Sequence, residues 1–141
     1  MTNVADALLG VWDVVSYRSV DTETGEGTAT YGEHFRGRMI FLPSGHMMVL
    51  QTAEKRPASV TEDKDAAAAF RTMMGYSGRY RVEGDKFITT IDIAWMENWI
   101  GSEQIRLFKT IGDELHIKSA PVRSPDGRMR HGELVWRRSR A

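Results

Sequence analysis

The chain has 141 residues, 41% hydrophobic and 27% charged, which suits one globular domain over residues 1–141 with a sizeable core. Basic and acidic residues number 19 each, so the net charge is zero and no electrostatic pull favours nucleic acid or an anionic membrane as partner. Cysteine is absent, which removes disulfides, thiolate metal sites and a cysteine nucleophile, and fits a reducing compartment.

The opening MTNVADALLGVW lacks the basic leader and apolar core of a signal peptide, and no window approaches the apolar length of a membrane span, so the expectation is a cytoplasmic protein. A first strand runs through LLGVWDVVSYRSV, Leu8 to Val20, into the polar, glycine-containing DTETGEGTATYGE. That tract has no following helix and no Lys-Ser/Thr ending, so it reads as a loop at a barrel mouth rather than a phosphate cradle. RGRMIFL and HMMVLQT are joined through Pro43-Ser44-Gly45, a hairpin signal. From Ser59 to Gly75 the pattern changes to helix, with Thr61 as N-cap, acids in the first turn, four alanines and Gly75 as the stop. Its apolar residues Ala66, Ala69, Phe70, Met73 and Met74 share one face, suiting a plug in a barrel end or a lid over it.

Strands resume with YSGRYRVEGDKFITTIDIAW, turning at Glu83-Gly84-Asp85, and with EQIRLFKTIGDELHIKS, turning at Gly112-Asp113. The last strand is entered through Pro125-Asp126-Gly127. The fold class is therefore all-β: eight antiparallel strands in up-and-down order with one short helix between strands 3 and 4. Closing such a sheet removes its edges and leaves an interior wide enough for side chains or one small ligand.

LLGVWDVVSY resembles the Gly-x-Trp opening strand of lipocalins. Four blocks in order, GRMIFLPSGHMMVL, GYSGRYRVEGDKF, NWIGSEQIRLF and a closing LVW with arginine, resemble the bacterial and fungal lipocalin-like domain family, the resemblance running from Leu8 to Arg138. The resemblance implies a calycin-type barrel whose base is closed by Trp12, with Arg137 or Arg138 across its ring, a sound cation–π arrangement. It implies no particular reaction. Thr89 and Thr90 stand where relatives often carry histidines, so no histidine chemistry carries over to that strand.

Candidate functional residues cluster around DIAWMENWIGSEQIRLF. A bend centred near Asn98 and Trp99 would set Asp92 opposite Arg106, with Gln104 beside them. Such a pair could line the lumen, where Arg106 could grip a ligand oxyanion, or lie on the outer face as a cross-strand ion pair. Tyr76, Tyr80, Trp95 and Trp99 are the aromatic candidates for a pocket wall, and the eight methionines suit an adaptable apolar cavity. His34, His46, His116 and His131 show no metal-ligand spacing, so no metal is expected. His131 and Glu133 share one strand face as a solvated pair or an acid–base pair. Nucleophile-elbow, Walker and dinucleotide motifs are missing, and no cofactor is implied.

Three functions follow. The first is a carrier holding a small hydrophobic ligand, apolar or aromatic, with Tyr80, Asp92, Trp95, Trp99, Gln104 and Arg106 as its binding residues. The second is a cofactor-free isomerase, cyclase or lyase with Asp92 as base and Arg106 as oxyanion stabiliser. The third is a non-catalytic homodimer with a filled barrel, paired through apolar outer strand faces.

Overall fold

The computed structural model describes residues 4–140. Ten strands form a single sheet: β1 (Gly10–Asp21), β2 (Gly27–Thr28), β3 (Arg36–Phe41), β4 (His46–Thr52), β5 (Met73–Glu83), β6 (Lys86–Ala94), β7 (Glu103–Ile111), β8 (Glu114–Ser119), β9 (Val122–Arg123) and β10 (Met129–Arg138). Their order is β2-β1-β3-β4-β5-β6-β7-β8-β10-β9, and β1 also pairs with β10, which closes the eight longer strands into an antiparallel barrel. The closing seam runs from Trp12 against Arg138 to Asp21 against Arg130. It satisfies backbone groups that an open sheet would leave bare along two edges.

The barrel has two unlike ends. At the base, β3 turns into β4 through Pro43–Gly45, while Gly84-Asp85 and Gly112-Asp113 make two-residue hairpins. Gly84 and Gly112 have φ of +63° and +61°, which a turn with a left-handed first position requires. The opposite end carries the long connections, residues 22–35, 53–72, 95–102 and 120–128. The base is sealed by Trp12, which has no exposed surface and donates its indole N–H to the Leu8 carbonyl at 2.9 Å. The Arg138 guanidinium lies 4.2 Å from the Trp12 ring centroid and donates to the carbonyls of Leu9 and Ala7. This ties the short 3-10 turn at Val4–Leu8 to the last strand. Arg137 points outward instead and pairs with Glu114.

The helix α1 spans Asp63–Arg71, shorter than the sequence suggests. Glu62, not Thr61, is its N-cap, because the Asp65 carboxylate reaches back to the amides of both Thr61 and Glu62. Gly75 does not stop the helix; Thr72 does, and Gly75 already lies within β5. No residue of α1 is buried, so it does not plug the barrel. Among the described residues no helix is long and apolar enough to cross a membrane.

Two bulges decide which side chains face inward. On β1 the register slips between Val14 and Ser16, and on β5–β6 between Ser77 and Gly78. At the second, Gly78 is required: a Cβ there would stand 2.0 Å from the Thr90 carbonyl oxygen.

Candidate ligand cavity

Above the packed base the barrel holds a cavity of about 750 Å³, open toward the end with the long connections. Alternation along the strands, interrupted at the two bulges, supplies most of its walls. On β4, Met47, Val49 and Gln51 are buried while Met48 and Leu50 are exposed, so Gln51 faces the lumen just above Val49. On β7, Gln104 and Arg106 face the lumen and Phe108 is buried below them, while Ile105 and Leu107 present mostly to the outside. β8 and β10 add Ile117, Ser119, Leu134 and Trp136. The mouth is framed by Tyr31 from the first long connection, Phe70 and Arg71 from the end of α1, and Trp95, Met96 and Trp99 from the bend between β6 and β7.

Aromatic contact organises one side. The rings of Trp95 and Trp99 lie 4.8 Å apart, and Trp99 continues onto Tyr76 at 5.6 Å. Across the mouth, Tyr17 meets Tyr31 edge-on at 5.1 Å, and Tyr31 stacks on Phe35 at 5.6 Å. Such offset and edge-on pairs fix ring positions without filling the lumen.

Arg106 is the principal charge of the wall. Its guanidinium donates to the neighbouring Ile105 carbonyl at 3.0 Å and, at the long distance of 3.4 Å, to the Gln104 side-chain oxygen. It stands close enough to the phenols of Tyr17 and Tyr76 to act on both. Burial pushes each hydroxyl above the usual tyrosine range, and the guanidinium charge pulls it partly back. Both phenols are therefore neutral and able to donate a hydrogen bond near neutral pH.

Asp92 does not face Arg106. The register sets Phe87 against Arg106 and Thr89 against Gln104, so the bend is centred at Met96 and Glu97 rather than at Asn98 and Trp99. Asp92 falls in the β5–β6 bulge, between Ile91 and Ile93, which pair with Gly78 and Ser77. It is exposed and does not line the cavity. Tyr80 also lies away from it, packed at the base with its ring 4.9 Å from Phe41 and its hydroxyl donating to the Leu42 carbonyl at 3.3 Å. Trp95, Trp99, Gln104 and Arg106 do come together around the lumen. Met39, Met73, Met74 and Met96 line it too, whereas Met47 belongs to the base core and Met48 points out. His131 and Glu133, 3.2 Å apart, sit on the outer barrel face beside Lys118. With this cavity, the upper part of the barrel is not filled by its own side chains.

Several lining residues escape the sequence reading. Tyr17 is one, because the β1 bulge reverses the parity that Trp12 would otherwise impose. Gln51 is another, although its two-residue spacing from Met47 and Val49 is visible in the sequence. Gln51 is 2% exposed. Among the described residues, the Trp136 indole N–H and the Thr89 hydroxyl are buried without a hydrogen-bond partner. No cluster of metal-ligating side chains occurs among the described residues.

No curated protein matches the chain. Among solved structures it is similar to the crystal structure of Rv2717c from M. tuberculosis, at 15% identity and a TM-score of 0.36, covering 99% of this chain and 100% of that one; so distant a likeness has no bearing on function. The family model described as a lipocalin-like domain matches residues 9–139. A match over nearly the whole chain shows that it belongs to the lipocalin-like domain family.

Proposed function

We propose that the barrel binds a small, largely apolar or aromatic molecule in its lumen, held by apolar walls and oriented at its polar end by Arg106 and Gln104. The observation that supports this reading most is the cavity itself. Its volume of about 750 Å³ falls within the usual range of small-molecule sites, and aromatic and thioether side chains surround a few placed polar groups. The enzymatic alternative assigns the base to Asp92, which is exposed in the bulge and not among the lining residues, so the binding reading is the better supported.

Titration with the neutral fluorophore N-phenyl-1-naphthylamine tests the proposal. Saturable binding with quenching of tryptophan emission is expected, because Trp95, Trp99 and Trp136 all line the cavity. Leu134→Trp, which pushes an indole into the lumen, should abolish it while leaving the circular dichroism spectrum intact. Unsaturable binding, or binding indifferent to Leu134→Trp, would refute the reading.

A further inference from the structure

The chain is neutral overall, yet its cavity is not. Two guanidiniums, Arg71 and Arg106, line it together with one carboxylate, Glu103. Glu103 is already engaged by Arg81 at 2.8 Å, on the rim. Neither lining arginine has an acidic partner among the described residues. The uncharged groups lean the same way. Guanidinium and indole N–H groups can only donate hydrogen bonds, the buried Trp136 N–H has no partner among the described residues, and the phenols of Tyr17 and Tyr76 stay protonated. A wall that offers donors and positive charge, and whose one carboxylate is already engaged, is left unsatisfied by a purely apolar guest.

Resting on the binding function proposed above, we infer that the natural ligand is an organic monoanion: a carboxylate, or an oxyanion of similar acidity, carried on a flat aromatic body. The oxyanion meets Arg106 with Tyr76 and Tyr17 beside it, and the ring system lies against Trp95 and Trp99. A planar guanidinium matches a carboxylate with two parallel N–H bonds, which a hydroxyl cannot reciprocate. Arg71, at the mouth, supplies a second positive charge on the approach path and draws anions in.

The test is a matched pair of probes, 2-naphthoate and 2-naphthalenemethanol, which share ring and size and differ in charge. Both are titrated into the full chain at neutral pH by tryptophan quenching and calorimetry. The expected result is naphthoate binding tighter by roughly tenfold or more, as a charge-assisted contact implies. In Arg106→Met that preference should collapse, because naphthoate loses affinity by a similar factor and the alcohol by much less. Equal or better binding of the alcohol by the wild type overturns the anion assignment but leaves the cavity a binding site. A preference that survives in Arg106→Met overturns the role of Arg106. Binding of neither probe removes the carrier reading itself. Should Arg106→Met fail to fold, the wild-type comparison alone decides the question of charge.

Discussion

Replacing Gly78 by alanine puts the bulge that shapes the cavity wall to a direct test. A Cβ at this position would lie 2.0 Å from the Thr90 carbonyl oxygen, 2.8 Å from the Thr90 carbonyl carbon and 3.0 Å from the Ile91 Cα. All three are backbone atoms of the paired strand, so no side-chain rotation relieves the clash. β5 and β6 must separate by more than ~1 Å, which strains the ladder hydrogen bonds around it as well as the packing of Tyr76 and Ile91. Overpacking with loss of ladder bonds is expected to cost about 3–5 kcal/mol. For a chain of this length each kcal/mol lowers Tm by about 3 °C, so Gly78→Ala should melt about 10 °C below the wild type. Thermal unfolding followed by circular dichroism measures this, with Gly84→Ala as the control. Gly84 has a φ of +63°, but a Cβ added there would meet nothing within 4 Å, so the substitution should lose only about 1 kcal/mol. A Gly78→Ala melt within about 2 °C of the wild type, or a larger loss at Gly84, would refute the close approach of these strands.

Further outcomes follow from the same geometry. Arg138→Met removes the cation over Trp12 and the two bonds to the Ala7 and Leu9 carbonyls, and should cost about 1–3 kcal/mol in chemical denaturation without altering probe affinity. Asp92→Asn should leave both probe binding and stability unchanged, since the exposed carboxylate reaches neither the cavity nor Arg106. Arg128, at 2.6 Å, and the amides of Glu23 and Thr24 hold the Asp21 carboxyl below its ordinary value of 3.8. A depressed folded-state value stabilises the fold above pH 3.8 and is lost as pH falls further, so Asp21→Asn should flatten the acid limb of a stability–pH curve. Arg71→Met should slow association of 2-naphthoate and reduce its salt dependence in stopped-flow fluorescence while changing dissociation little.

Much of the architecture is written locally. The Gly-Asp hairpins, the Pro43–Gly45 turn and the alternation of Met47, Val49 and Gln51 each depend on neighbours a few residues apart, and the eight-stranded count follows from them. What the sequence conceals is register. Asp92 and Arg106 look like partners only if the bend is centred near Asn98 and Trp99, whereas bonds between Ile91 and the backbone of Gly101 and Ser102 centre it two residues earlier. The extra residue that turns Asp92 outward is accommodated because Gly78, on a different strand, lets the Thr90 carbonyl approach. Tyr17 is hidden for the same reason, its inward direction set by a slip against β10 more than a hundred positions away. Gln104, Arg106, Trp95 and Trp99 stand out as polar and aromatic side chains around one bend, but which face of the strands points inward is set by pairing that the sequence does not show.

A crystal structure of the protein soaked with 2-naphthoate addresses the account most directly. The expected result is the naphthalene ring inside the barrel against Trp95 and Trp99, its carboxylate within hydrogen-bonding distance of the Arg106 guanidinium. A lumen holding only water at saturating probe, with naphthoate absent or confined to the outer strand faces, would contradict it.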